Sequence, residues 1–89
     1  MRAVITVVGK DAVGILAKVT QKCSEHGINV IEVTQSILQE MFAMVMMVEI
    51  DRSDVPFTAF VDEMTALGEA NGLVIHCMHE DIFNAMHTI

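Results

Sequence analysis

Three sets of residues in this chain could do chemistry. The first is Gly9-Lys10-Asp11-Ala12-Val13-Gly14-Ile15-Leu16, with Asn29 farther on; the second is His76, His79, Glu80 and His87; the third is Cys23 and Cys77. Asp11 stands where a helical spacing begins. A helix start leaves backbone N–H groups unpaired and carries partial positive charge, which suits a carboxylate. Gly14 has no Cβ, so a ligand or a second chain can approach the backbone there. Asp11 can accept hydrogen bonds from an ammonium, and Asn29 can both donate and accept. Together they offer what the two charged ends of an amino acid require. The plainer alternative is that Asp11 caps the helix, Gly14 allows tight packing and Asn29 ends a turn.

The late histidines and Glu80 have side chains that could hold a divalent metal. On an extended strand, however, His76 and His79 have opposite parity and point to opposite faces, so solvated strand-end histidines are the better reading. Cys23 lies on an apolar helix stripe and Cys77 shares parity with Leu73 and Ile75, which makes both packing residues. Gly9 and Gly14 have the glycine spacing of a phosphate loop, but Ile15-Leu16 stand where lysine and serine or threonine are needed. No serine sits in a nucleophile motif, and no Cys–His pair has a motif around it. The acidic pairs Asp62-Glu63 and Glu80-Asp81 fall on solvated faces. No enzyme site and no cofactor motif emerge.

These residues need elements to position them. Ala3–Val8 is a β-branched run that reads as a buried central strand closed by Gly9. From Asp11 the period changes: Ala12, Ile15, Leu16, Val19 and Cys23 recur at helical spacing, with Asp11 as N-cap and Gly27 as the stop. Residues 28–39 form a second strand, with Asn29, Ile31, Val33 and Ile37 on one parity. The chain reverses near Gln39-Glu40. Phe42, Met44, Met46, Val48 and Ile50 then line one face of a third strand, whose other face is apolar too. Pro56 suits the first turn of a second helix striped by Phe57, Phe60, Val61, Met64 and Leu67, and Asn71-Gly72 ends it. Leu73–Met78 is a fourth strand, and residues 81–88 form a short helix with Ile82, Phe83 and Met86 on one side.

The order is βαββαβ plus a tail, which makes this an α+β, ferredoxin-like single domain over residues 1–89. Its core spans residues 2–79 and its tail helix 80–89. Right-handed crossovers predict a four-stranded antiparallel sheet in the order 4-1-3-2, with two helices on one face. Strand two is then an edge, long and apolar enough to pair with a copy of itself.

Composition narrows the partners. The chain has 89 residues, 53% of them hydrophobic, and a mean hydropathy of +0.51. A domain of this size buries only about 60–65% of the surface its unfolded chain exposes. The apolar surplus predicts a second copy over one face, hence a homodimer. Twelve acids against five bases give a net charge of −7, which opposes binding to nucleic acid. An RNA-recognition sheet needs aromatic side chains on its central strands, and Phe42 is the only one there. The first apolar run is too short for a signal-peptide core or a membrane span, so the reading is cytoplasmic, without a membrane partner and with reduced cysteines.

The run from Val8 to Leu16, followed by Gly27-Ile28-Asn29-Val30, resembles the ACT domain, a small regulatory module that usually binds amino acids. The tail from His79 to His87 is similar to that of the free-standing ACT proteins called UPF0237. A related arrangement occurs in the glycine-cleavage transcriptional repressor. Val13 stands where many ACT domains carry proline. The resemblance implies a non-enzymatic module whose ligand meets Asp11, Val13, Gly14, Ile15, Leu16 and Asn29, the loop of one subunit facing strand two of its neighbour. The alternatives are a structural or protein-interaction module without a ligand and, more weakly, a metal site at His76, His79 and His87.

Overall fold

The β-branched run at the start of the chain forms β1, Arg2–Gly9, and the segments after it alternate as the spacing predicts: α1, Ile15–Glu25; β2, Asn29–Leu38; β3, Met41–Glu49; α2, Phe57–Ala70; β4, Val74–His79; and α3, Glu80–His87. The computed structural model describes residues 1–10 and 13–87, apart from the side chains of Leu38 and His87. Asp11, Ala12, Thr88 and Ile89 lie outside the described residues, and with them the expected cap at Asp11 and the last residues of the tail helix.

The four strands lie in the order β2-β3-β1-β4, and every pairing is antiparallel. This is the expected ferredoxin-like order, with β1 and β3 in the centre. One sheet face carries Ala3, Ile5 and Val7 of β1, Met44, Met46 and Val48 of β3, and Ile75 of β4. Against it pack Ile15, Val19 and Cys23 of α1 and Phe60 and Met64 of α2. Each Val, Ile, Met or Phe side chain among them stabilises the fold by about 1.5–3 kcal/mol when fully buried. Three of the methionines are therefore core filling.

Both core helices stop in the same way. Beyond α1, Gly27 takes φ 72°, its N–H donates to the Ser24 carbonyl at 3.2 Å, and the Ile28 N–H donates to the Cys23 carbonyl at 2.8 Å. Those two bonds satisfy carbonyls that the helix end would leave open. Gly72 closes α2 with the same pair of bonds, to Glu69 and Gly68.

Three details differ from the sequence expectation. The helix begins at Ile15 with Gly14 in the cap position at φ 74°, three residues beyond the position expected to cap it. Pro56 likewise sits at the cap position of α2 rather than inside its first turn. The third is a bulge in β2. Val30 pairs with Val48, but Glu32 pairs with Met47, so Ile31 is an extra residue and the strand's faces exchange there. Asn29, opposite Glu49, is thereby separated from Val33 and Ile37, which stand opposite Met46 and Phe42 in the column that faces the helices. Parity cannot anticipate this, since one inserted residue inverts every position after it.

The tail helix α3 crosses the other face of the sheet, touching β1 and β4. It is why Val4, which points away from the core helices, is 0% exposed. His79 accepts a hydrogen bond from the Asp81 N–H at 3.0 Å, at the start of the helix. Arg2 Nη2 meets Glu80 Oε2 at 2.6 Å and ties the same end to β1. None of the described helices is long and apolar enough to cross a membrane.

Between β2 and β3 the chain reverses through Gln39 and Glu40, with Gln39 at φ 58°. A side chain at that angle costs about 1–2 kcal/mol, and glycine returns part of this as lost chain entropy. Gln39→Gly is expected to raise stability by about 0.5–1 kcal/mol, measured by urea unfolding.

Candidate functional site

The loop between β1 and α1 begins next to Gly9, which pairs with Phe42. Val13 is 91% exposed. Gly14 is exposed too, and a Cβ built on it meets nothing within 4 Å. Lys18 N–H bonds back to the Gly14 carbonyl at 3.1 Å, and the N–H groups of Ile15, Leu16 and Ala17, in the first turn, lie ahead of any carbonyl of the helix itself. Ile15 turns its side chain into the core and Leu16 is half-buried. Lys18 Nζ donates to Asn71 Oδ1 at 2.6 Å, bracing the start of α1 against the end of α2.

Asn29 is elsewhere. It stands opposite Glu49, seven residues along β3 from Phe42, a separation of about 23 Å at roughly 3.3 Å per residue. The structure thus brings Val13, Gly14, Ile15 and Leu16 together at one end of the sheet and leaves Asn29 at the other. At its own end Asn29 lines a cleft of about 620 Å³ with Ser24, Gly27, Glu49, Asp51 and Arg52. This cleft holds both signs of charge, an amide and a hydroxyl. Glu49 and Asp51 share the Met1 ammonium, which lies 2.8 Å from Glu49 Oε1.

Behind the cleft is a charged clasp. His26, the C-cap of α1, accepts through its carbonyl the Asp54 N–H at 3.0 Å. Its ring meets Asp54 Oδ1 through Nδ1 at 2.7 Å and Glu63 Oε2 through Nε2 at 2.7 Å. The second contact is close but poorly aligned for a hydrogen bond, so charge attraction carries it. Lys22 lies 3.8 Å from the same Glu63 side chain, and the imidazole stands edge-on to the Phe60 ring. One residue thus links α1, the β3–α2 loop and α2.

A family model for the ACT domain matches residues 2–77. The chain belongs to the ACT domain family. The UPF0237 protein YjhC of Lactococcus lactis is 48% identical over 89 residues and aligns with 100% of each chain. A UPF0237 protein of Methanopyrus kandleri is 38% identical over 99% of this chain and 98% of its own. Among solved structures, an ACT domain protein from Streptococcus pneumoniae is 38% identical, with a TM-score of 0.81 over 93% of both chains. A protein described as a glycine cleavage system transcriptional repressor is 26% identical, with a TM-score of 0.69 over 85% of this chain and 43% of that one.

In this ACT protein the cysteines are packing groups. Burial pushes the Cys23 thiol up to about 11 and Cys77 up to about 12, and the thiolate is the reactive form. Register sets His76 opposite Thr6 and His79 opposite Ala3, on different sheet faces. Among the described residues no three His, Cys, Asp or Glu side chains converge on a cation position. Glu49, Asp51, Arg52 and His26 escaped the sequence reading. The only signal for Asp51 and Arg52 there was the polar run Asp51-Arg52-Ser53-Asp54, which reads as an ordinary connection, and Glu49 and His26 gave none.

Asp54 and then Glu63 hold the His26 imidazolium, raising its pKa above the ordinary value. The clasp's contribution is therefore complete below the unfolded pKa of about 6.5 and fades as pH rises through the higher folded value. The Met1 ammonium shifts in the same direction, so the test is a difference. The stability advantage of the parent over His26→Gln should be larger at pH 6 than at pH 9, as read from paired thermal melts.

Proposed function

We propose that this ACT protein is a non-enzymatic regulatory module that binds an amino acid at the interface of a homodimer. The observation that carries the reading is a separation. The loop residues Val13, Gly14 and Leu16, with Asp11 beside them in sequence, and the distant Asn29 lie at opposite ends of one sheet, and the strand between them is an edge. Along β2, every described side chain from Ile31 to Ile37 is exposed, Ile37 to 75%. Its later half, residues 33–38, carries no charge and no proline, the usual guards of a sheet edge.

Two copies pairing β2 with β2 about a twofold axis run antiparallel. Asn29 of one copy then comes beside the Leu38 end of the other, the end that carries the loop. Each site takes helix-start N–H groups from one chain and Asn29 with its cleft from the other. The α-carboxylate meets the N–H groups of Ile15 and Leu16, Gly14 leaves room for the approach, and the ammonium meets Asn29 and the carboxylates near it. Ligand and association are then linked, because whatever binds only the pair stabilises the pair.

Light scattering at micromolar concentration is expected to give twice the chain mass of 9.8 kDa. A thermal-shift screen of the twenty amino acids should yield at least one stabilising ligand. Asn29→Ala should weaken that ligand by roughly 10- to 150-fold in calorimetry, the loss of one hydrogen bond to a charged group. It is a cleaner probe than Gly14→Val, which also strains the φ 74° backbone. A clean monomer, or no response to any amino acid at millimolar concentration, replaces this reading with a structural or protein-interaction module.

A further inference from the structure

The cleft around Asn29 holds a charge that no described residue pairs. Twelve acids face five basic side chains in this protein, and most of the bases are already engaged. Arg2 pairs with Glu80, Lys22 with Glu25 and Glu63, and Lys18 bonds Asn71. Arg52 lines the cleft, yet its guanidinium has no ion pair or hydrogen bond with any described residue. Glu49 and Asp51 are its acidic neighbours in the cleft, and both are turned to the Met1 ammonium instead.

The turn that carries Arg52 is anchored on both sides. Ser53 N–H donates to the Ile50 carbonyl at 3.1 Å and Asp54 N–H to the His26 carbonyl at 3.0 Å. The Arg52 carbonyl itself abuts Gly27, where a Cβ would come within 2.9 Å of the oxygen. The backbone is held while the side chain is left available. A guanidinium is planar and matches a carboxylate with two parallel N–H bonds. If it stays unpaired when an interface closes over it, it loses water without compensation, which selects against ligands that offer no anion.

We propose that Arg52 reads the side chain of the bound amino acid, and that the ligand is acidic: aspartate or glutamate. The inference rests on the interface reading above, in which the ligand's α-carboxylate faces the neighbouring chain's α1. Its ammonium then lies at Asn29 with Glu49 and Asp51. The side-chain carboxylate extends along the cleft to Arg52, and each charged group of the ligand meets a complementary one.

The test compares isosteres by calorimetry: L-glutamate with L-glutamine, and L-aspartate with L-asparagine, on the parent, Arg52→Gln and Arg52→Lys. Circular dichroism checks that each variant is folded. The parent is expected to prefer one acid over its amide by about tenfold or more. Arg52→Gln should abolish the preference, so that acid and amide bind alike, and Arg52→Lys should recover part of it. Equal binding of acid and amide by the parent, or a preference that survives in Arg52→Gln, overturns the role of Arg52 and leaves the amino-acid site standing. Failure of all twenty amino acids to bind the parent overturns both.

Discussion

Where α1 gives way to β2, two stretches of backbone pass almost in contact, and much of the molecule is arranged around that crossing. A Cβ at Gly27 would lie 2.9 Å from the Arg52 carbonyl oxygen, closer than side chains tolerate, and the residue also takes φ 72°. Glycine satisfies both demands. The crossing lets His26 accept the Asp54 N–H, puts its ring between Asp54 and Glu63, and starts β2 beside the end of β3. The cleft containing Asn29 and Arg52 is the space left beside the crossing. A larger residue at position 27 would push the β3–α2 loop away, disturbing the clasp and the cleft together.

The second organising constraint is that a sheet has two faces and two edges. The inner face is covered by α1 and α2, and α3 covers part of the outer one. At the β2 edge, Val33 and Ile37 stand in the column that faces the helices and yet remain exposed. The bulge at Ile31 turns the strand's apolar residues toward that side without giving them a cover. It also sends Asn29 to the opposite face, beside Glu49. A single inserted residue therefore separates the polar start of the strand from its apolar remainder.

Charge is distributed with similar economy. Two acidic side chains engage His26 and two engage the Met1 ammonium. The Met1 pairs are solvent-facing, and the His26 ring is covered while its carboxylate partners stay partly exposed, so individually these pairs contribute little to stability. Their value is positional: each ties a loop or a chain end to the sheet around the cleft. Among the described residues Arg52 differs in being held through its backbone.

The amino-acid sequence by itself determined the kind and order of the elements, because those depend on contacts only a few residues apart. Ile15, Val19 and Cys23 at helical spacing become the buried stripe of α1, Phe60 and Met64 that of α2, and Gly27 and Gly72 mark the stops. The strand order followed from the same pattern, since crossover handedness leaves few ways to close such a sheet. The motif around Gly14 also identified the family without a structure. What only the tertiary structure decided depends on groups far apart in the chain. Ile31 became a bulge through pairing with β3, α3 went to the outer face, and Asn29 was set at the far end of the sheet from its own chain's loop. His26 found partners 28 and 37 positions later. The isolation of Arg52 is a further case, because a charge is unpaired only with respect to every neighbour the fold provides, and periodicity carries no record of those distances.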